Sequence, residues 1–196
     1  MPNFLGIPYF YPNTEMETDD SQVEAISGKI YTFSGGLHRV RLAATFFDNY
    51  RGKYRAAAKL RGHHSRFGLG TSFPIELPQI TGIVLPEGTV QTQTVTQSNK
   101  YLQEQTSIAV TLTGDDTIET GTLFNMPGVD KKVYEVLADR VGSGALLIKP
   151  GLTVAYTGAV ASLVFKPVMM QALYTGPLDI EETFPWRKTI EFMEDL

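Results

Sequence analysis

The chain has 196 residues, of which 42% are hydrophobic, and its formal net charge is −4. This length suits one large or two small domains, and the charge argues against a general nucleic-acid binder. The chain contains no cysteine, which excludes disulfide bonds and thiolate metal sites, and no sequence window approaches the ~18 apolar residues of a membrane span.

Residues 1–28 are predicted to be irregular, because three prolines interrupt them and proline cannot donate to a strand ladder. The aromatic side chains between these prolines need an apolar surface. We therefore expect an arm that packs on its own domain, with packing on a neighbouring subunit as the alternative. The N-terminal sequence MPNFLGIPYFYPN has no basic start and no continuous apolar run, so we expect no signal peptide.

The next segment alternates between apolar and polar residues. One side of an extended chain would carry His38, Val40, Leu42, Ala44 and Phe46, and the other side would carry Arg39, Arg41 and Thr45. Hydrophobicity that alternates with a period of two residues is typical of a strand with one buried face and one solvent-exposed face. The pattern therefore predicts a strand over residues 37–47.

A helix is predicted near 49–61, with Asp48 or Asn49 as its N-cap and Gly62 as its end. Residues at helical spacing form a face that should pack on the sheet, and bases four residues apart form the opposite face. The packing face comprises Tyr50, Tyr54, Ala57 and Ala58, and the basic face comprises Arg51, Arg55 and Lys59. After Gly62 we expect an extended chain.

Charges are segregated along the chain. Residues 15–24 contain five acids and no base, residues 39–66 contain eight bases and one acid, and residues 179–195 contain six acids and two bases. Such segments often only decorate solvated faces. The other interpretation is self-complementarity, in which the basic helix of one subunit meets acids of the next. The candidate interface residues are Arg51, Arg55 and Lys59 on one side and Glu15, Glu17, Asp19 and Asp20, or the C-terminal acids, on the other.

Residues 105–170 are predicted to be all β. Short alternating runs, such as 107–112 and 132–136, are separated by glycine-rich turns, and no long helix is predicted between them. This spacing indicates a small barrel or sandwich, and an OB-like barrel fits the number of strands. Spacing alone does not choose the topology. Residues 89–96 are predicted to form an ordinary surface strand.

The C-terminal residues return to the pattern of the first domain. Phe184, Trp186, Ile190 and Phe192 share one parity, so a long strand could complete the sheet begun by residues 37–47. The second domain would then be inserted into the first. We predict a mainly β fold, with a β-sandwich and its helix in residues 1–85 and 178–196, and an inserted β-barrel in residues 86–177.

No catalytic or metal-binding constellation is predicted, so we expect no enzyme and no cofactor. The histidines are His38, His63 and His64. We place His63 and His64 in an extended segment, where adjacent side chains point to opposite sides and make a poor metal pair. Asp115 and Asp116 are typical of a turn. The basic helix lacks any accompanying base-reading motif, so we expect no sequence-specific nucleic acid partner.

Several short sequence motifs resemble those of distal tail proteins of long-tailed bacteriophages, which join the tail tube to the tail tip. They are residues 34–36 followed by the amphipathic strand and the basic helix, then 60–63, 67–70, 121–124, 132–136, 144–152 and the ending 189–194. The resemblance implies a tail-tube-like β-sandwich with one helix and an inserted OB-like barrel. It also implies a hexameric ring in the virion tail, made in the host cytoplasm, without enzymatic activity. The implied partners are other copies of the chain, the tail tube protein, and hub, tip and fibre proteins.

Two other classes of function stay open at this point. A carbohydrate-binding or receptor-binding module of the tail tip would show exposed tyrosine and tryptophan on a β surface, and binding to glycans would identify it. A cell-wall hydrolase would need convergent acids or a metal, which the sequence does not offer. Turnover of peptidoglycan would identify that activity.

Overall fold

The computed structural model describes residues 3–24, 30–48, 55–79, 82–93, 102–112, 117–156, 160–178 and 186–195. These ranges contain antiparallel strands and one helix, so the predicted mainly β fold with a helix is confirmed. The chain divides into two compact units. Unit 1 comprises Met1–Ile75 and Gln171–Leu196, and unit 2 comprises Glu76–Met170.

The elements are named in chain order. They are β1 (Asn3–Phe4), β2 (Ile7–Pro8), β3 (Phe10–Glu24), β4 (Ile30–Asp48), α1 (Ala56–Phe67), β5 (Phe73–Leu77), β6 (Val90–Thr92), β7 (Ser107–Leu112), β8 (Thr117–Ile118), β9 (Leu123–Asn125), β10 (Val133–Val136), β11 (Arg140–Val141), β12 (Gly144–Lys149), β13 (Val168–Tyr174) and β14 (Trp186–Glu194). The division between the units falls within β5 and within β13. The predicted boundaries, at 85/86 and 177/178, lie later in the chain, because the prolines and glycines that indicate them follow these strands.

The sheet of unit 1 has the order β3-β4-β14-β13-β5. Strand β14 pairs with β4 from Trp186 opposite Asp48 to Met193 opposite Arg41, so the predicted pairing of the C-terminal strand with residues 37–47 is confirmed. The predicted apolar parities are also buried, at Val40, Leu42, Ala44 and Phe46 on β4 and at Trp186, Ile190 and Phe192 on β14. The side chains of His38 and Phe184 are outside the described residues.

One residue of the face of β4 that is predicted to be exposed to solvent is in fact buried. Thr45 is only 4% exposed, and its hydroxyl forms a 2.8 Å hydrogen bond with the hydroxyl of Thr189 on β14. Cross-strand threonine pairs of this kind stabilise a sheet by roughly 0.2–1 kcal/mol. The second hydroxyl satisfies the first, which is why a polar residue is tolerated there.

The prediction that residues 1–28 are irregular is wrong. Residues 10–24 form β3, which pairs with β4 along its length. The register shifts between Phe10 and Asn13, so Pro12 lies at an irregularity in the ladder. In the sheet order β3 is an edge strand, where a missing backbone donor costs least. The expected packing of the aromatic arm on its own domain is confirmed by Phe4 and Tyr9, which are buried against Phe46.

The predicted bounds of the helix are also wrong. Helix α1 begins at Ala56, with Arg55 as an N-cap in the left-handed conformation and without a side-chain cap. It continues through Gly62 and ends at Gly68, whose N–H donates to the His64 carbonyl at 2.7 Å. Apolar contacts on both sides of Gly62 outweigh its intrinsic penalty of about 1 kcal/mol in a helix. Asp48 belongs to β4, and residues 49–54 lie outside the described residues.

The buried face of α1 therefore differs from the predicted one. Ala56 and Leu60 are fully buried, Ala57 is half-buried and Ala58 is exposed. The predicted tyrosines of this face, Tyr50 and Tyr54, fall outside the described residues. Because the helix begins later than predicted, its packing stripe continues toward the C-terminal end, through His63 and Phe67, which contact Phe73 on β5.

Replacing Gly62 with alanine is expected to stabilise unit 1 by about 0.5–1 kcal/mol, because alanine lowers the conformational entropy of the unfolded chain. A Cβ atom at this exposed position would meet no atom within 4 Å. Gly68→Ala is the matched control, since the φ angle of Gly68 is +61° and alanine would be strained there. Urea unfolding of both variants tests this, and destabilisation by Gly62→Ala would contradict it.

The five-stranded sheet of unit 2 has the order β6-β7-β12-β10-β9, and its two edges are joined by residues 161–165. On one edge, the Leu163 N–H donates to the Val90 carbonyl at 2.9 Å. On the other edge, Asn125 and Val164 exchange backbone hydrogen bonds of 3.0 and 2.9 Å. The sheet and this segment pack around an apolar core that includes Ile108, Val110, Phe124, Tyr134, Val136, Leu146 and Ile148.

Two amide side chains hold the segments that lead into and out of this core. Gln79 donates to the carbonyls of Leu123 and Phe165 at 2.6 and 2.9 Å, and accepts from the Leu123 N–H at 2.9 Å. Asn125 donates to the carbonyls of Lys132 and Met169 at 3.1 and 2.9 Å, and accepts from the Met169 N–H at 2.6 Å. Each amide thus replaces a pair of strand hydrogen bonds where the ladder is interrupted.

Candidate assembly surfaces

Strands β3 and β4 extend as a two-stranded ribbon beyond the rest of the sheet. Strand β14 pairs with β4 only from Arg41 to Asp48, whereas the pairing of β3 with β4 continues to Glu24 opposite Ile30. We call residues 16–24 and 30–40 the ribbon. At about 3.3 Å per residue its strands run for roughly 30 Å. Among the described strands, β3 is the only partner of this part of β4.

A buried carboxylate contacts the ribbon at the end where it adjoins β14. Glu194, at the end of β14, is 1% exposed, and its Oε2 accepts a hydrogen bond from the Val40 N–H at 3.1 Å. The neighbouring Arg39 donates to the sulfur of Met193 at 3.7 Å. The side chain of Glu194 therefore continues the contact of β14 with β4 beyond the last paired residue. A charge-assisted bond of this kind contributes about 1.5–3 kcal/mol.

The predicted acidic interface residues lie on β3, where the register places two of them opposite bases. Glu15 is opposite Arg41, and Glu17 is opposite Arg39. Opposite charges at facing positions stabilise a ladder by roughly 0.2–1 kcal/mol. Glu15, which is exposed, also accepts from the Asn13 side chain at 2.6 Å. Some acids of the acidic segment therefore lie opposite bases of the basic segment within the same chain.

The other two acids have no basic residue opposite them. Asp20 is opposite Ser34, and Asp19 falls at the register shift between Thr18 and Asp20. A bulge of this kind twists the strand locally and interrupts its ladder. Nothing further is described of the side chains of residues 16–24.

The predicted basic face is only partly described, because Arg51 lies outside the described residues. Arg55 is exposed at the N-cap of α1, and Lys59 is exposed one turn later. The Lys59 ammonium donates to the Leu5 carbonyl of the same chain at 3.2 Å. Lys59 therefore helps to hold the turn between β1 and β2, and Arg55 is the other exposed base of the predicted face.

The two adjacent histidines lie in α1, so the expectation that they occupy an extended segment is wrong. The His63 Nδ1 atom is 2.9 Å from the Tyr174 hydroxyl, and the ring of His64 approaches the same tyrosine edge-on at 4.8 Å. Residues that are adjacent on a helix are about 100° apart, so both can reach one large partner. No local sequence pattern indicates this contact, because Tyr174 lies on a distant strand.

Several classes of site are absent from the part of the chain that the structure describes. No cluster of three histidine, aspartate or glutamate residues there could hold a metal ion. No helix there is long and apolar enough to cross a membrane. A scan against protein-family models finds no match, and a search of curated proteins finds none either.

Proposed function

We propose that this chain is a structural virion protein that forms a hexameric ring at the distal end of a bacteriophage tail. In that ring it joins the tail tube to the hub and tip, and it has no enzymatic activity. The observation that carries the proposal is the ribbon of unit 1, which offers a long strand edge for assembly. The position of the ring at the distal end of the tail is proposed from the sequence motifs that resemble distal tail proteins.

The sheet of unit 1 has two different edges among its described strands, β3 and β5. Unpaired strand edges are ready templates for pairing with another chain. When two unlike surfaces of the same protein meet, the contact is head-to-tail, and it generates a closed ring if the rotation closes. A ring would therefore give β3 a second strand partner, which no described strand of the same chain supplies.

Charge contacts between subunits are a second part of the proposal. Arg51, Arg55 and Lys59 would face acids of the next subunit. Because Glu15 and Glu17 already lie opposite bases of β4, the exposed C-terminal acids Glu191 and Asp195 are the better candidates. A single exposed ion pair contributes only ~0–1 kcal/mol, so these contacts would set register more than strength.

Unit 2 would be the inserted OB-like barrel that the resemblance implies. The isolated bridges from residues 162 and 164 to the two edges of its sheet, together with its apolar core, support a barrel of this general kind. The alternative function, a carbohydrate-binding module, would need exposed aromatic rings. Among the residues whose side-chain exposure the structure describes, the exposed large hydrophobic residues, such as Val84, Leu102 and Val141, are leucines and valines. The ring function is therefore preferred.

Shortening the ribbon tests this proposal. Removing Ser21–Glu24 together with Ile30–Phe33 takes four residues from each strand and keeps the remaining register, since these residues face each other. An even deletion also preserves which face each side chain occupies. We expect wild type to sediment as a ring and the shortened chain as a folded monomer, with an unchanged unfolding midpoint for unit 2. A shortened chain that assembles like wild type would contradict the role of the ribbon.

A further inference from the structure

His63 lies within a cluster of aromatic rings that attaches α1 to the sheet of unit 1. Its imidazole stacks on Phe67 with centroids 4.3 Å apart, and it meets the rings of Phe73 and Phe4 edge-on at 4.6 and 4.8 Å. Its Nδ1 atom bonds the hydroxyl of Tyr174, which is 3% exposed. One titratable side chain therefore contacts α1, β1, β5 and β13 together.

Several titratable groups lie near His63, and the two on its own helix disfavour a positive charge on its ring. Helix α1 contributes Arg66 and His64, and β13 contributes Tyr174, whose pKa is raised by burial. From β1 and β5 the described contacts are the rings of Phe4 and Phe73. On β5, Glu76 has the opposite parity to Phe73, so it lies on the other face of that strand.

We propose that this cluster is an acid-sensitive latch, in which neutral His63 holds helix α1 on the sheet and protonated His63 releases it. In the neutral ring, Nδ1 can accept a hydrogen bond from the Tyr174 hydroxyl. Protonation converts Nδ1 into a donor, so this bond must reverse while a charge is placed among apolar rings. Release of α1 returns the imidazolium to water, which removes both penalties.

The sign of the pH dependence follows from the pKa of His63. Burial, and then the charges of Arg66 and His64, lower this pKa from its ordinary value of 6.5. The folded arrangement therefore binds the proton less readily than the released one. The stability of the latch is fully present above pH 6.5 and is lost as the pH falls below it. For one proton the opening equilibrium can rise at most about tenfold per pH unit.

Amide hydrogen exchange on the full-length chain tests the latch. Between about pH 7.5 and about pH 5.5, where histidine titrates, the protection factors of the α1 amides should fall in wild type. Amides of β10 and β12 in unit 2 should keep theirs and serve as an internal reference. His63→Gln, which can still bond the Tyr174 hydroxyl but carries no titrating ring, should make α1 protection independent of pH. His64→Gln is the matched control and should still lose α1 protection as the pH falls, with a midpoint that shifts only because the His64 charge near His63 is gone.

Three results would overturn the proposal. The first is α1 protection that does not change with pH in wild type, and the second is an unchanged dependence in His63→Gln. The third is loss of the dependence in His64→Gln, which would assign the effect to the wrong histidine. Should His63→Gln fail to fold, the ring signals of the three histidines in wild type decide the matter by NMR titration. A His63 pKa at or above 6.5 would then contradict the latch.

Discussion

Replacing Asn125 with alanine is expected to destabilise unit 2 by about 3–5 kcal/mol. Asn125 is 8% exposed, and its side chain forms three hydrogen bonds to backbone groups. Truncation would leave the carbonyls of Lys132 and Met169 and the N–H of Met169 without these partners. Each buried polar group that loses its partner costs about 1–3 kcal/mol, which is why the expected loss is large.

Urea unfolding of unit 2 measures this effect, and two further variants control for it. Asn125→Asp has the same shape but cannot donate from its carboxylate, so it should lose at least as much stability as alanine. Gln103→Ala removes an exposed amide from the same unit and should change stability by less than about 0.5 kcal/mol. A loss below about 1 kcal/mol for Asn125→Ala would show that water replaces the amide.

Replacing Trp186 with alanine is expected to destabilise unit 1 by about 3–5 kcal/mol, through lost transfer free energy and the cavity left behind. Trp186 is 4% exposed, so the burial that this prediction requires is present. It begins β14 opposite Asp48, where the C-terminal strand joins the sheet. Trp186→Phe should lose less, because phenylalanine refills much of the space. Thermal unfolding measures the stability of both variants. A decrease of less than about 1 kcal/mol in the unfolding free energy of Trp186→Ala would contradict a buried indole and indicate that it faces solvent or a partner.

The features predicted well from the sequence are those with strict alternation. The parities of β4 and β14 are read from residues such as Leu42, Ala44, Ile190 and Phe192, which share one buried face. A slip of one residue would expose all of them, so the pattern fixes the register strongly. The same reasoning applies to β7, where Ile108 is buried and Ser107 is only half-buried.

The features missed are those in which tertiary contacts override local preference. Pro12 predicts an irregular segment, but an edge strand with a shifted register accepts it. Gly62 predicts the end of a helix, but packing at Leu60 and His63 continues α1 past it. Local composition cannot reveal these outcomes, because the partners lie far away in the chain.

The candidate sites were predicted less well than the fold. Counting charges along the chain identified Glu15 and Glu17, but it did not show that β4 places Arg41 and Arg39 opposite them. The contact of His63 with Tyr174 joins residues 111 positions apart. No short motif encodes such a contact, so it emerges only when the helix and the sheet are assembled.

The ring itself is tested most directly by the mass of the assembly that the purified full-length chain forms. Native mass spectrometry and sedimentation equilibrium at low salt should both give a closed hexamer, with no series of higher multiples. High salt should weaken the ring, since screening shortens to ~3 Å at 1 M and reduces the charge contacts between subunits. A chain that stays monomeric over the whole accessible concentration range, or that forms an open series of oligomers, would contradict the proposed ring.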